Sequence, residues 1–288
     1  MTAQRFARCF RERRFRGEPD PARRAGTRGP RELWALLAIA QRDVTKLLRD
    51  RPRLAVNLAF PILLVAGLGS VLQPTVGRVT GLSAVSLAFS GVLAATMFQS
   101  TAAGMISLVE DRETDYSRAL FVAPVTRLTL ISGKIAGETL VAMFQGAWVV
   151  LFAVAAGVRI GGDQLAGLFG ACLASCLLGG AFGLATVAAL PNQRSAMEIF
   201  QFLIIPQYVL GGVIVPLAGV SRYLGVVADA MPLRYAVDLT RAAYYRGTPG
   251  YARVVTGGPL LDLAVLGVLF AVLLTAGTVV FDRRERSR

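Results

Sequence analysis

Six long apolar blocks dominate this sequence, and each is long enough to cross a lipid bilayer as a helix. A bilayer core about 30 Å thick requires roughly 20 mostly apolar residues in helical conformation. The blocks lie at residues 54–72, 82–109, 135–157, 165–190, 196–217 and 260–281. The chain is 54% hydrophobic and only 17% charged, which is too apolar for an ordinary soluble domain. We therefore expect an all-α polytopic membrane protein with six transmembrane helices over residues 54–281.

The interiors of these blocks are almost free of charge. The exceptions are Glu138, Glu198 and Asp262, which lie within about a turn of a block end. We expect these side chains to reach the membrane interface by snorkelling. An ion-coupled carrier normally needs ionisable groups near the midplane, so this distribution disfavours that class.

The segments flanking the blocks are basic. Residues 1–30 are rich in Arg, Pro and Gly without an apolar run, which predicts a disordered cytosolic tail. Residues 31–53 carry apolar side chains at helical spacing with charged residues between them, which predicts an amphipathic helix lying on the membrane surface. We expect residues 51–53 to turn the chain into the membrane, and residues 282–288 to form a second basic tail.

The distribution of Lys and Arg predicts the orientation. With the N-terminus inside, 24 of the 31 Lys and Arg residues lie on the cytosolic face, so we expect both termini in the cytosol. The net charge of +13 could indicate a nucleic-acid binder, but the basic residues lie at the ends and between blocks rather than in one patch. We expect membrane lipid and no nucleic acid as a partner.

The connection 218–259 is unusually apolar and aromatic for a loop. Its tyrosines suit the headgroup level of a bilayer. Short interfacial or re-entrant helices are expected on the extracellular side, and a small extracellular cap is the alternative.

Residues that could carry out catalysis are lacking. The chain has no histidine, and Cys172 and Cys176 share a helix face without a carboxylate nearby, so we expect neither a metal site nor a catalytic site. The pair Gly133-Lys134 is followed by Ile135 and lacks the upstream glycine of a phosphate-binding loop. Any ATP hydrolysis would have to come from another polypeptide.

The connection after the second block predicts a docking element. It begins with the charged run Glu110, Asp111, Arg112 and Glu113, continues with apolar residues on one helical face, and ends at Pro124. A short amphipathic helix over residues 110–124 would suit a groove on a partner protein. The alternative is a charged loop resting on lipid headgroups.

This connection resembles the coupling-helix segment of type-2 ATP-binding-cassette (ABC) permeases, particularly the daunorubicin-resistance branch. The similarity rests on Asp-Arg-Glu at 111–113, Val-Ala-Pro-Val-Thr-Arg at 122–127 and Ser-Gly-Lys at 132–134. Residues 205–216 resemble the fifth span of that family, and residues 231–241 resemble the segment before its last span.

The resemblance implies a transport function shared with partners. It implies that a separate ABC ATPase binds ATP and Mg²⁺ and receives the coupling helix, and that a second copy of the chain completes a homodimer. It assigns four further residues to a helix bend or translocation path and four to the extracellular segment. The first set is Pro206, Gly211, Gly212 and Pro216, and the second is Pro232, Tyr235, Asp238 and Arg241.

The expected function is export of a drug, lipid or natural product across a bacterial plasma membrane, as in multidrug or antibiotic resistance. A non-transporting scaffold or regulatory subunit is the main alternative, and an ion-coupled carrier is a weaker one.

Gly179 and Gly183, small residues four positions apart, predict a close helix contact.

Overall fold

A computed structural model of the chain describes residues 49–113, 127–214 and 222–286, together with residues 41 and 45. These ranges are helical and contain no strand. The predicted tail 1–30 and most of the predicted surface helix 31–53 lie outside them. The helices with defined bounds are α1 (Arg51–Thr80), α2 (Ala84–Gly104), α3 (Ser107–Glu113), α4 (Arg127–Ala155), α5 (Gly162–Val187), α6 (Gln193–Leu210), α7 (Arg222–Asp229), α8 (Pro232–Tyr244), α9 (Tyr251–Val254) and α10 (Pro259–Arg286).

Five helical segments in the described part of the chain are long and apolar enough to cross a membrane. They are Leu54–Pro74, Ala84–Glu110, Thr129–Ala155, Gly162–Val187 and Tyr251–Arg284. They correspond to five of the six predicted blocks and confirm the prediction of an all-helical, multi-pass membrane protein.

The fifth predicted block, 196–217, is only partly seen. It contributes to α6, an 18-residue helix that is not among the five candidate spans, and residues 215–217 lie outside the described ranges. Helix α6 contacts α3 at one end of the bundle and α8 at the other. At 1.5 Å per residue it is about 27 Å long, comparable with the bilayer core. The sixth span therefore stays a prediction.

The predicted change of direction before the first span falls next to an interruption of helical structure at Asp50. Arg51 and Pro52 themselves form the first turn of α1. Proline is tolerated there because its missing N–H would have no partner in the helix anyway. The backbone N–H of Leu54 donates to the Asp50 carbonyl at 2.9 Å, which closes the first helical turn.

Helix α2 forms the centre of the bundle, with most of its residues buried against α1, α4, α5 and α8. Its contact with α5 is a backbone approach through Gly179 and Gly183. A Cβ at either position would overlap a carbonyl oxygen of α2, that of Phe98 or Ala102. This geometry confirms the predicted close contact.

In its described part, residues 222–259, the connection 218–259 contains three short helices, α7, α8 and α9. Helix α8 begins at Pro232, with Met231 as its N-cap, and packs against α2, α5 and α10 at the end where these three helices start. Tyr244 on α8 makes an edge-to-face contact with Phe89 of α2, with ring centroids 5.5 Å apart.

Candidate functional site

A cavity of about 490 Å³ lies between α1, α2, α4 and α6, at the end of the bundle where α2 leads into α3. This volume is typical of ligand pockets, which range over roughly 300–1,000 Å³. Its wall contains many hydrogen-bonding side chains. Those on the four helices include Asn57, Thr96, Gln99, Ser100, Gln145, Gln193 and Tyr208.

A buried ion pair forms part of the cavity wall. Lys134 Nζ lies 3.2 Å from Glu138 Oε1 one turn along α4, and the two side chains are only 4% and 10% exposed. Glu138 was expected to snorkel to the interface, and that prediction is wrong because its carboxyl group lies against Gly104 of α2. A Cβ at Gly104 would overlap this carboxyl group, so the glycine provides its space. The attraction between the two charges offsets part of the free energy that is lost when each is removed from water.

Two further polar groups distinguish the cavity wall. The Tyr208 hydroxyl donates a hydrogen bond to the side-chain oxygen of Gln99, which joins α6 to α2. Gln145 is 3% exposed, and its Nε2 has no partner among the described residues. Gln145, one of the residues of the cavity wall, therefore has a buried donor that is left unsatisfied within the described part of the chain.

A second polar cluster lies at the opposite end of the bundle, on α8. Asp238 accepts hydrogen bonds from the Thr256 N–H at 3.1 Å, the Thr256 hydroxyl at 3.1 Å and the Gly257 N–H at 2.6 Å, just before α10 begins. Arg241 Nη2 donates to the Gly212 carbonyl at 2.6 Å, just after α6 ends. Burial lowers the pKa of Arg241 to about 10 while Asp238 opposes the shift, so the guanidinium stays charged at neutral pH.

Asp262 adds a second carboxyl group to this cluster. It is 2% exposed, and its Oδ2 has no hydrogen-bond partner among the described residues. The prediction that Asp262 would snorkel is therefore wrong, because this side chain faces α8. In the described ranges there is no group of three or more His, Cys, Asp or Glu side chains that could hold a metal ion.

The model of a known protein family matches the chain over residues 35–245, and that family is the ABC-2 type transporter. The match includes α1 to α8 and therefore most of the chain. The chain belongs to the ABC-2 type transporter family. It is also 28% identical over 198 residues to nodulation protein J of Neorhizobium galegae, across 65% of this chain and 72% of that protein.

As an ABC-2 type membrane permease, the chain is a transport subunit, and membership of the family implies a partner ATPase. Permeases of this family are typically non-catalytic. The five candidate spans, among them the buried α2, supply the membrane part of such a subunit.

The predicted ATPase-coupling residues of this permease are only partly described. Glu110 lies in α3 and contributes to the cavity wall. Asp111, Arg112 and Glu113 continue the same helix, whereas residues 114–126, including Pro124, lie outside the described ranges. Their role in coupling stays a prediction.

Some of the residues predicted for the helix bend lie close to residues predicted for the extracellular segment. Pro206 lies inside α6, Gly211 caps it with its N–H 2.7 Å from the Gln207 carbonyl, and Gly212 follows with φ +73°. The positive φ suits glycine because it has no Cβ. Pro216 lies outside the described ranges.

Gly212 and Arg241 belong to separate predicted groups, whereas a hydrogen bond joins them in the structure. Two other members of the extracellular set have local roles: Pro232 begins α8, and the Tyr235 hydroxyl donates to the Asp229 carbonyl at 2.8 Å. Lys134 was not among the predicted site residues. The spacing of four residues between Lys134 and Glu138 places the two side chains on one face of a helix, and this spacing could have indicated the ion pair.

Proposed function

We propose that this ABC-2 permease is the membrane subunit of an ATP-driven exporter that moves a hydrophobic or amphipathic molecule out of the cell, as in the daunorubicin-resistance branch. The observation that carries the proposal is the cavity of about 490 Å³, whose largely apolar wall includes several hydrogen-bonding side chains, found within a chain of this family. A separate ATPase supplies the energy and binds ATP and Mg²⁺. A second copy of the chain completes a homodimer.

The proposed topology has six spans and both termini in the cytosol of a bacterial cell. Helix α6 supplies the sixth span, which its contacts with α3 and α8 at opposite ends of the bundle support. In this orientation the cavity lies toward the cytosol, next to Glu110 in the proposed coupling segment. A substrate could then enter from the inner leaflet and leave past α8.

The test of the coupling assignment is charge reversal. Replacing Glu110, Asp111 and Glu113 with Lys should abolish co-purification with the cognate ATPase while membrane insertion is retained, because the proposed contact depends on these charges. Asp163→Lys is the matched control, since Asp163 is exposed in the first turn of α5 at the opposite end of the bundle. Unchanged association of the triple variant would contradict the coupling assignment.

The test of export is reconstitution. Vesicles containing this chain and its ATPase should accumulate a fluorescent amphipathic dye only with ATP and Mg²⁺. ATPase association without any transport would favour the scaffold alternative, and gradient-driven uptake without ATP would favour a carrier.

A further inference from the structure

We infer that Asp262 is a proton-binding group that controls how firmly the start of α10 is held against α8. While Asp262 carries a proton, Asp238 is the one negative charge of this carboxyl pair. When the proton passes to water, two like charges face each other and the contact between the helices weakens. This inference goes beyond the proposed function, because it concerns a pH response at one end of the bundle and not the transported molecule.

The side chains of Asp238 and Asp262 converge on one point beside the backbone of Gly257. A Cβ added at this glycine would lie 2.8 Å from Asp262 Oδ1 and 3.2 Å from Asp238 Oδ2. Asp262 lies in the first turn of α10, and both carboxyl groups are buried. Two buried carboxyl groups that lie close together repel each other strongly when both are ionised, so one of them keeps a proton.

The hydrogen bonds of the pair show which group keeps it. Asp238 accepts from the N–H and the hydroxyl of Thr256 and from the N–H of Gly257, and hydrogen bonds of this kind stabilise an ionised carboxylate. Asp262 Oδ2 is buried and has no hydrogen-bond partner among the described residues. A second charge at this position would lose its hydration without gaining donors, which is unfavourable. The negative charge therefore belongs to Asp238 and the proton to Asp262.

The other titratable groups around Asp262 leave this assignment unchanged. In the described part of the chain α10 packs against α5 and α8. The titratable residues of α5 are Asp163, Cys172 and Cys176, and those of α8 that interact electrostatically with Asp262 are Arg234, Tyr235 and Asp238. Asp163 is exposed. Arg234 would attract an ionised Asp262, but its guanidinium group already donates a hydrogen bond to the Asp229 carboxylate of α7.

Release of the proton should loosen the junction between α8 and α10. Asp238 holds residues 256–257, which lead directly into α10, and an ionised Asp262 repels this carboxylate from the first turn of the helix. The repulsion is relieved when the start of α10 moves away from α8 and water reaches Asp262. The closed junction is therefore most stable at low pH and loses stability as the pH rises. In the proposed topology this end faces the outside, so the external pH sets its stability.

Hydrogen exchange followed by mass spectrometry measures the opening of the junction. The full chain in detergent, without ATPase, is compared from about pH 6 to about pH 9, with correction for the intrinsic pH dependence of amide exchange. Exchange of residues 254–262 should accelerate by up to about tenfold per pH unit, because opening releases one proton. Asp262→Asn cannot ionise and should abolish this acceleration. Asp163→Asn is the matched control and should behave like the unmodified chain, since Asp163 is exposed at the start of α5.

Infrared spectroscopy detects the proton itself. A protonated carboxyl group has a C=O stretch that is distinct from the bands of a carboxylate. The unmodified chain and Asp163→Asn should both show this band from a buried acid at neutral pH and lose it at high pH. Asp262→Asn should lack it throughout.

Either of two results would overturn the inference. One is corrected exchange of residues 254–262 that does not change with pH in the unmodified chain. The other is a buried-acid band at neutral pH that is equally strong in Asp262→Asn. The first comparison needs no variant and so remains decisive if Asp262→Asn folds poorly. Neither measurement involves ATPase or transport, so a failure of export would contradict the proposed function alone.

Discussion

Asp238 and Arg241 illustrate how single buried side chains hold the end of this bundle together. Asp238 satisfies the N–H groups of Thr256 and Gly257, and Arg241 satisfies the Gly212 carbonyl. Hydrogen bonds to charged groups are roughly twice as strong as neutral ones. Because these two residues together join three segments of the chain, each should matter more for stability than its position on a short connecting helix suggests.

Replacing Asp238 with Ala should destabilise the protein by about 2–4 kcal/mol, because two backbone donors lose a charged acceptor. Thermal unfolding of the purified protein in detergent measures the effect. Asp163→Ala, an exposed carboxylate in the first turn of α5, should cost less than about 1 kcal/mol. Equal losses in the two variants would show that the Asp238 bonds contribute little.

The Lys134–Glu138 pair gives a second prediction for single residues. Lys134→Met should destabilise by about 3–5 kcal/mol because it leaves the Glu138 carboxylate buried without its partner. The double variant Lys134→Met, Glu138→Leu should recover most of that loss, and a double-mutant cycle on unfolding free energies measures the coupling. Strictly additive losses would mean that the two side chains do not stabilise each other.

The environments of the acidic residues could be predicted only in part from the sequence. Glu138 and Asp262 lie near block ends, a pattern that favours snorkelling, yet both are buried. Their environments depend on residues distant in the chain, Gly104 for Glu138 and Asp238 for Asp262. By contrast Glu198 is exposed and pairs with Arg194, four residues away on the same helix.

At the scale of helices, the packing of α5 on α2 is determined by small residues. Gly179 and Gly183 bring the two backbones into contact, and the sequence predicted this from spacing alone because helical periodicity places both on one face. Helix α6 was harder to predict. Its apolar content indicates a span, but Arg194, Glu198 and three glutamines give it a polar side, part of which contributes to the cavity wall.

Gly179→Val should disrupt the contact between α5 and α2 and cost about 1–3 kcal/mol or more, since the new side chain would overlap the backbone of Phe98. Gly170→Ala on the same helix has no atom within 4 Å of the added carbon and should be neutral or slightly stabilising. Unfolding in detergent compares the two. A Gly179 variant as stable as the Gly170 variant would contradict the close contact.

At the scale of the whole molecule, the sequence predicted the membrane class and most of the spans because length and apolar content suffice for both. It could not predict the cavity or the α8 cluster, since these arise where helices far apart in sequence meet. The orientation in the membrane follows from the distribution of basic residues and belongs to the proposed topology.

Cysteine labelling tests that orientation. In a background with Cys9, Cys172 and Cys176 replaced by Ala, a membrane-impermeant maleimide applied to intact spheroplasts should modify Tyr223→Cys on α7, where Tyr223 is 88% exposed. Arg284→Cys, near the end of α10, should react only after the membrane is opened. The reverse pattern would place Glu110 and the coupling segment outside the cell and would contradict the exporter proposal.

The attachment of α8 on two sides constrains how the far end of the bundle can open. Arg241 donates a hydrogen bond to Gly212, which follows the end of α6, and Asp238 accepts one from Gly257, which precedes the start of α10. Asp238 and Arg241 lie one turn apart on α8. An intermediate in which only one of these helices has shifted must first break a charge-assisted hydrogen bond. Opening at this end should therefore be concerted, with α6, α8 and the start of α10 moving as one unit.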